Sequence, residues 1–303
     1  MDALHLGLIL PNYGNALDAD GLAASAVAAE EAGFDSGWVT DHLIVPAELA
    51  PVYGTITEAL VSIGFVAGRT RQLQLGVSAL VVPQRNPFIA LKQLMSLDFL
   101  SGGRLLTAVT AGWLEPEFAT LGSRFDRRGR LIDEWLELAY SVFGQMPGSI
   151  RHEGGLPIRD GWLAPGLVNP SGIELWIAGG SDAALRRAAR TGVWHPVALP
   201  VPSLIDGAAR YRELRPDGRV VLRLSALFAD EPDPHASDER GRPAVAGPPE
   251  WIAERLADYV AGGCNGFVVN LGHDIPGLDE RVRRFAQEVW PLIMPANGSS
   301  ASG

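Results

Sequence analysis

Residues 173–199, IELWIAGGSDAALRRAARTGVWHPVAL, hold a complete strand–helix–strand unit in one line of sequence. IELWIA (173–178) is almost continuously apolar. It runs into Gly179 and Gly180, and Ser181-Asp182 then opens an alanine-rich helix. Gly192 stops that helix just before VWHPVAL (193–199). An apolar strand of this kind is covered on both faces, which is the condition of a parallel sheet flanked by helices. A glycine at the end of the helical pattern marks its C-terminus.

The same rhythm runs through the chain eight times. The candidate strands are 4–10, 34–40, 73–80, 104–110, 173–178, 193–199, 220–229 and 265–271. Between them the apolar residues recur at helical spacing. Leu131, Trp135, Leu138 and Val142 share a face, as do Ile252, Leu256, Tyr259 and Val260, and Leu278, Val282, Phe285 and Val289. Gly33 and Gly263 act as stops like Gly192. Eight such units in 303 residues predict a single (β/α)8 TIM barrel over 1–296, with 297–303 as a disordered tail. A doubly wound open sheet is the alternative. It calls for a GxGxxG turn after the first strand, where this chain has LPNYGN.

Composition narrows the class further. Hydrophobic residues make up 47% of the chain and charged residues 20%, enough for a large core and too few charges for extensive disorder. The net charge of −10 argues against a nucleic-acid or anionic-membrane partner. Cys264 is the single cysteine, so there is no disulfide framework and no cysteine metal site. MDALHLGLIL reads as a first strand, not a signal peptide, and a cytoplasmic location is expected. Two stretches break the rhythm: 144–171, rich in glycine and proline, and 230–249, acidic and proline-rich. The second follows a strand end and is a candidate lid.

On a barrel, chemistry sits at the C-terminal ends of the strands. That rule selects Asn12, Asp41-His42, Ser78-Ala79, Thr110-Ala111-Gly112-Trp113, Gly179-Gly180-Ser181, His195, and Asn270 with His273. A histidine at such a place titrates near neutral pH, but it is more often structural. Asp41 reads equally as an Asx turn. AGGSD reads either as a phosphate-binding helix start or as a glycine turn with Ser181 as N-cap. Arg127, Arg128 and Arg130 with Asp133 and Glu134 read as helix-surface pairs. No HxH or HExxH spacing marks a metal site.

Five stretches, taken together, resemble the luciferase-like monooxygenase superfamily, and within it the coenzyme F420-dependent branch. They are LGLILPNYG (6–14), EEAGFDSGWVTDH (30–42), RTRQLQLGVSALVVPQRNP (69–87), LDFLSGGRLLTAVTAGWLEPEF (97–118) and WIAGGSDAALRRAARTGVWHP (176–196). Residues 247–290 fit the final units more loosely. The resemblance implies a barrel with its cofactor at the C-terminal strand ends. It places Asp41 and His42 beside the cofactor ring, and a non-prolyl cis peptide at Ser78-Ala79 behind that ring. Ala111 and Gly112 become backbone contacts, and Gly179, Gly180, Ser181 and Asp182 the phosphate turn.

His42 is then the expected proton donor or electrostatic stabiliser, with His195 as the alternative relay. Asn12, Trp113 and Trp194 would line the substrate side. The sugar-phosphate dehydrogenase members carry a catalytic glutamate where this chain has Trp113, and VALPVPS (197–203) lacks their phosphate-binding lysine. Glu115 and Glu117 are expected on the next helix. The turn also lacks the basic residue common in FMN-binding relatives, which favours F420. The implied protein is a homodimeric oxidoreductase acting on a small molecule with F420. The alternatives are an FMN-dependent monooxygenase on the same fold, and a cofactor-free lyase or hydrolase.

Overall fold

The computed structural model describes residues 4–14, 17–274 and 276–293; the expected tail 297–303 lies outside them. Eight parallel strands form the barrel: His5–Ile9, Ser36–Val39, Gln74–Val77, Leu106–Thr110, Glu174–Ala178, Val193–His195, Arg219–Phe228 and Gly266–Asn270. Each falls within or against one of the eight apolar runs. The first strand pairs with the second and with the eighth, the second with the third, and the remainder follow in order. After a cis Ser78–Ala79 bond the third strand resumes as Leu80–Val81, which pairs with the fourth. A parallel bridge between Leu75 and Leu105 joins the same two strands, so the ring closes.

The interior is packed with large side chains. Trp38 and Trp176 lie 4.6 Å apart between ring centroids, among Ile9, Leu106, Val193, Val221 and Val268. Bulk at Trp38 explains two glycines on the strands beside it. A Cβ on Gly7 would come within 2.7 Å of the indole, and one on Gly76 within 2.6 Å. Close packing leaves no slack for such an overlap, so glycine is the residue that fits.

The helix faces read from periodicity are buried as expected: Trp135, Leu138 and Val142 on one helix, and Leu278, Val282, Phe285 and Val289 along the last helical segments. Each such helix covers a barrel strand with its apolar stripe.

The two irregular stretches are more ordered than their composition implied. Within 144–171 an antiparallel hairpin forms from Gly148–His152 and Ile158–Leu163. Within 230–249 the strand Ala244–Gly247 adds in parallel to the seventh barrel strand. Its turn is held by Asp238, which accepts from the amides of Arg240 and Arg242 and from the Arg242 guanidinium.

Candidate active site

A cavity of about 390 Å3 opens at the C-terminal ends of the strands, within the range usual for small-molecule sites. Its wall includes Asp41, His42, Ser78, Ala79, Ala111, Gly112, Trp113, Gly179, Gly180 and Ser181. Ten of the sequence-derived candidates therefore converge from four strand ends and their loops. Gly112 holds φ +85°, and a Cβ there would strike Val81 and Phe118 within 2.8 Å. No other residue keeps that loop so close to the third strand's continuation.

His42 is buried, and Glu117 determines its orientation. The imidazole Nδ1 lies 3.1 Å from Glu117 Oε2. Glu117 Oε1 accepts from the amides of Leu43 (2.6 Å) and Ile44 (3.1 Å), and Oε2 also accepts from Gln84 (3.0 Å). Burial opposes ionisation of Glu117, but these donors outweigh it and hold the carboxyl below its ordinary range. An ionised carboxylate can only accept, so Nδ1 carries the proton of this hydrogen bond and Nε2 is the ring nitrogen that Glu117 does not take. Tyr53 packs 4.6 Å from the imidazole, and Trp113 meets it edge-on at 5.9 Å. Glu117 does lie on the helix Glu115–Thr120, yet it reaches back into the site.

Asp41 turns its carboxylate away from the open space. Both oxygens bind Arg85 at 2.7 Å, and Oδ2 also accepts from the amide of Val81. Its place is to clamp the segment after Ser78–Ala79 against the second strand. Burial would lower Arg85, but Asp41 and Glu58 more than restore its charge.

Four residues are corrected by the structure. His195 is wholly buried inside the barrel and does not line the cavity. Its Nε2 lies 2.8 Å from Ser78 Oγ and its Nδ1 2.7 Å from Val221 O. Burial drives its pKa down to about 3, so it stays neutral and supports Ser78 from beneath. Strand alternation sends its neighbour Trp194 to the opposite face. There the indole donates to Gly179 O at 2.7 Å and packs on Gly207, behind the cavity instead of in it. Asn12 is fully buried as well, bonded to the Thr40 backbone through both ends of its amide. Asp182 is exposed and pairs with Arg210 outside the cavity.

Charge is concentrated in this wall. Five arginines line the cavity (Arg128, Arg187, Arg223, Arg240 and Arg242), against two carboxylates, Asp41 and Glu117. Arg128 and Arg187 bring positive charge to the cavity that the Gly179–Ser181 turn also lines, correcting the expectation that the turn has no basic companion. Arg128 is not a helix-surface pair; it lies 3.8 Å over the Phe125 ring. The Arg130–Glu134 pair does form on the surface. Ser181 caps the helix Asp182–Thr191 through Ala184 N, and a Cβ at Gly180 would meet nothing within 4 Å. Such a bare helix start suits an anion.

Glu117 and Arg128 are read from the sequence only as helix residues, and Tyr53, Arg85, Arg223, Arg240 and Arg242 escaped that reading. Only the placement of 230–249 after a strand end hinted at the last two. Nothing in the local pattern separates them from surface arginines.

A sequence model of the luciferase-like monooxygenase family matches residues 7–234. The chain belongs to that family. The alkanal monooxygenase alpha chain of Photorhabdus luminescens is 23% identical to this member over 166 residues, covering 54% of it and 43% of the relative. This member spans about half the length of the curated relatives it matches, 43% and 62% for the first two.

Among solved structures, an F420-dependent secondary alcohol dehydrogenase with an F420–acetone adduct superposes with a TM-score of 0.79. It is 16% identical, with 97% of this chain and 100% of that one covered. A type II Baeyer–Villiger monooxygenase of Pseudomonas putida in complex with FMN gives 0.76 at 17% identity, covering 96% and 99%. Both likenesses establish the luciferase-like barrel. Among the described residues no helix is long and apolar enough to cross a membrane.

Proposed function

We propose that this member of the family is an oxidoreductase that binds coenzyme F420 in the cavity and exchanges a hydride with a small organic substrate. The lining suits a phosphorylated planar ring: a bare helix start with a guanidinium for the phosphate, and the small residues Ala79, Ala111 and Gly112 to leave room for the ring. The cofactor would supply the hydride chemistry when bound. His42 would hold or move the substrate's proton at Nε2, because Glu117 occupies Nδ1. Trp113, Tyr53 and Arg240 cover His42 and limit its contact with water.

The observation that carries the choice of cofactor is the charge at the turn. Arg187 is spent on Asp133, with hydrogen bonds of 2.6 and 3.0 Å. Arg128 is then the one lining guanidinium on that side with no carboxylate within 4 Å among the described residues. One uncommitted positive charge matches the monoanionic phosphodiester of F420 better than the dianionic monoester of FMN. The FMN-dependent structural neighbour keeps that cofactor as the second reading. Fluorescence titration with each cofactor decides between them. Tight FMN binding with no F420 binding overturns the choice, and silence from both turns the reading toward the cofactor-free chemistry. The homodimer belongs to the same proposal, and gel filtration checks it.

A further inference from the structure

Part of the charge in the cavity wall is balanced by side chains packed against it. Asp41 is taken by Arg85, Arg187 by Asp133, and Arg242 by the buried Asp238. Glu117 is held by amides, Gln84 and His42. Three lining arginines have no carboxylate within 4 Å among the described residues: Arg128, Arg223 and Arg240. Arg128 precedes Gly129, whose carbonyl accepts from Arg187 on the helix that the Gly179–Ser181 turn opens. Arg223 and Arg240 lie elsewhere, on the seventh strand and on the segment that follows it.

Arg223 is the more costly of the two. Its guanidinium is buried inside the barrel, where it donates to Ser78 O and, at 2.9 Å, to Thr40 Oγ1. All its protein partners are neutral. Burying a cation without a counter-charge is expensive, and such groups are normally paired. Burial lowers its pKa from the ordinary arginine value, and the more distant Glu239 carboxylate opposes that only in part.

Arg240 comes from the 230–249 segment and sits 4.4 Å over the Trp113 ring, with its Nη1 3.3 Å from Tyr53 OH. Tyr53 and Trp113 are the two rings that flank His42. Among the described residues the remaining guanidinium donors of Arg240 have no hydrogen-bond partner, and a planar fork of that kind matches a carboxylate. In a chain of net charge −10, this uncompensated positive pole attracts anions to the place where the proposed proton-handling group lies.

We infer that the substrate is a small organic acid, whose carboxylate is bound by Arg240 with Arg223 beneath it while the reacting carbon lies by His42. This rests on the proposed function, which assigns the Arg128 side to the cofactor. The close counter-charge that Arg223 lacks among the described residues then arrives with the substrate. Arg240, carried on the segment after the seventh strand, makes that segment a reader of substrate charge as well as a cover.

The test is calorimetric titration of F420-loaded protein with acetate, hexanoate and benzoate, each against its neutral amide. At least one acid is expected to bind while its amide does not. Arg240→Gln should weaken that acid about ten- to a hundredfold, the range for a charge-assisted hydrogen bond, and Arg240→Lys should restore part of the loss. Arg128→Gln should weaken F420 and leave the acid unaffected. Amides binding as well as acids, no acid binding, or an unchanged acid affinity in Arg240→Gln each overturn the inference. So does an Arg240→Gln protein that loses F420 instead of the acid, since the pole then belongs to the cofactor. If neither F420 nor FMN binds, but an acid still binds through Arg240 in the cofactor-free protein, the proposed function fails and the anion site stands.

Discussion

His42 and His195 both sit at the C-terminal ends of barrel strands, and both are nearly or fully buried, yet the fold gives them opposite surroundings. At the end of the second strand the chain turns outward, so His42 faces the cavity with a carboxylate behind it. At the end of the sixth strand His195 still points into the barrel, stacked near Trp38 and Trp176, with a neutral hydroxyl and a carbonyl as partners. The first environment suits the proton-handling role proposed for His42, because the carboxylate holds one ring nitrogen and leaves the other unclaimed by Glu117. The second makes a neutral strut. A strand-end histidine is thus a catalytic candidate only when the chain beyond it leaves the barrel.

The sharpest way to break this comparison is turnover. His42→Ala should lower it by about 10^2- to 10^4-fold with cofactor affinity retained, the usual span for a general acid or base. Unchanged turnover on a substrate that the wild type converts removes His42 from the chemistry.

His195→Ala should act on the fold instead. Losing the ring and its two hydrogen bonds is expected to cost about 3 kcal/mol in urea unfolding. A variant as stable as wild type, but inactive with cofactor bound, would reverse the roles of the two histidines.

Glu117→Gln sharpens the contrast at the other site. It replaces an ionised acceptor of four donors, so a stability loss of about 2 kcal/mol is expected, together with lower turnover. Full stability would mean that the carboxylate charge is not what orders the 42–44 turn.

The most gradual effect is a slope. His195 has an ordinary pKa of 6.5 when unfolded and about 3 when folded. Between those values the unfolded chain binds a proton that the folded chain refuses, so acid favours unfolding. Stability should fall as pH drops from 6.5 toward 3, by about 1.4 kcal/mol per pH unit from this residue alone. Above pH 6.5 neither state is protonated there, and the contribution is constant. His195→Gln should flatten the profile relative to wild type within that window, and identical slopes would show that the ring is protonated in the fold.

The barrel was legible because its signal is repeated and local: apolar runs of strand length, helical stripes and glycine stops recur eight times, and each unit reports on its own burial. The strand-end rule reached Ala111, Gly112, Gly179 and Gly180, whereas the cis Ser78–Ala79 bond came from family resemblance, which carries features that no periodicity reveals. The failures share one cause. Trp194 and His195 are adjacent, and the direction of each depends on where one strand sits in a closed ring. Asp182 depends on which way a helix start faces, and Arg128 on which wall its helix joins.

What the sequence determined by itself was therefore the chain of strand–helix units and the level at which chemistry would gather, since burial pattern and chain direction are properties of neighbouring residues. What only the tertiary structure decided was pairing. Glu117 with His42, Asp41 with Arg85 and Arg223 with Thr40 are relations across 44 to 183 residues of chain. Electrostatic roles follow from distance and burial in space, and neither quantity is written in the local pattern.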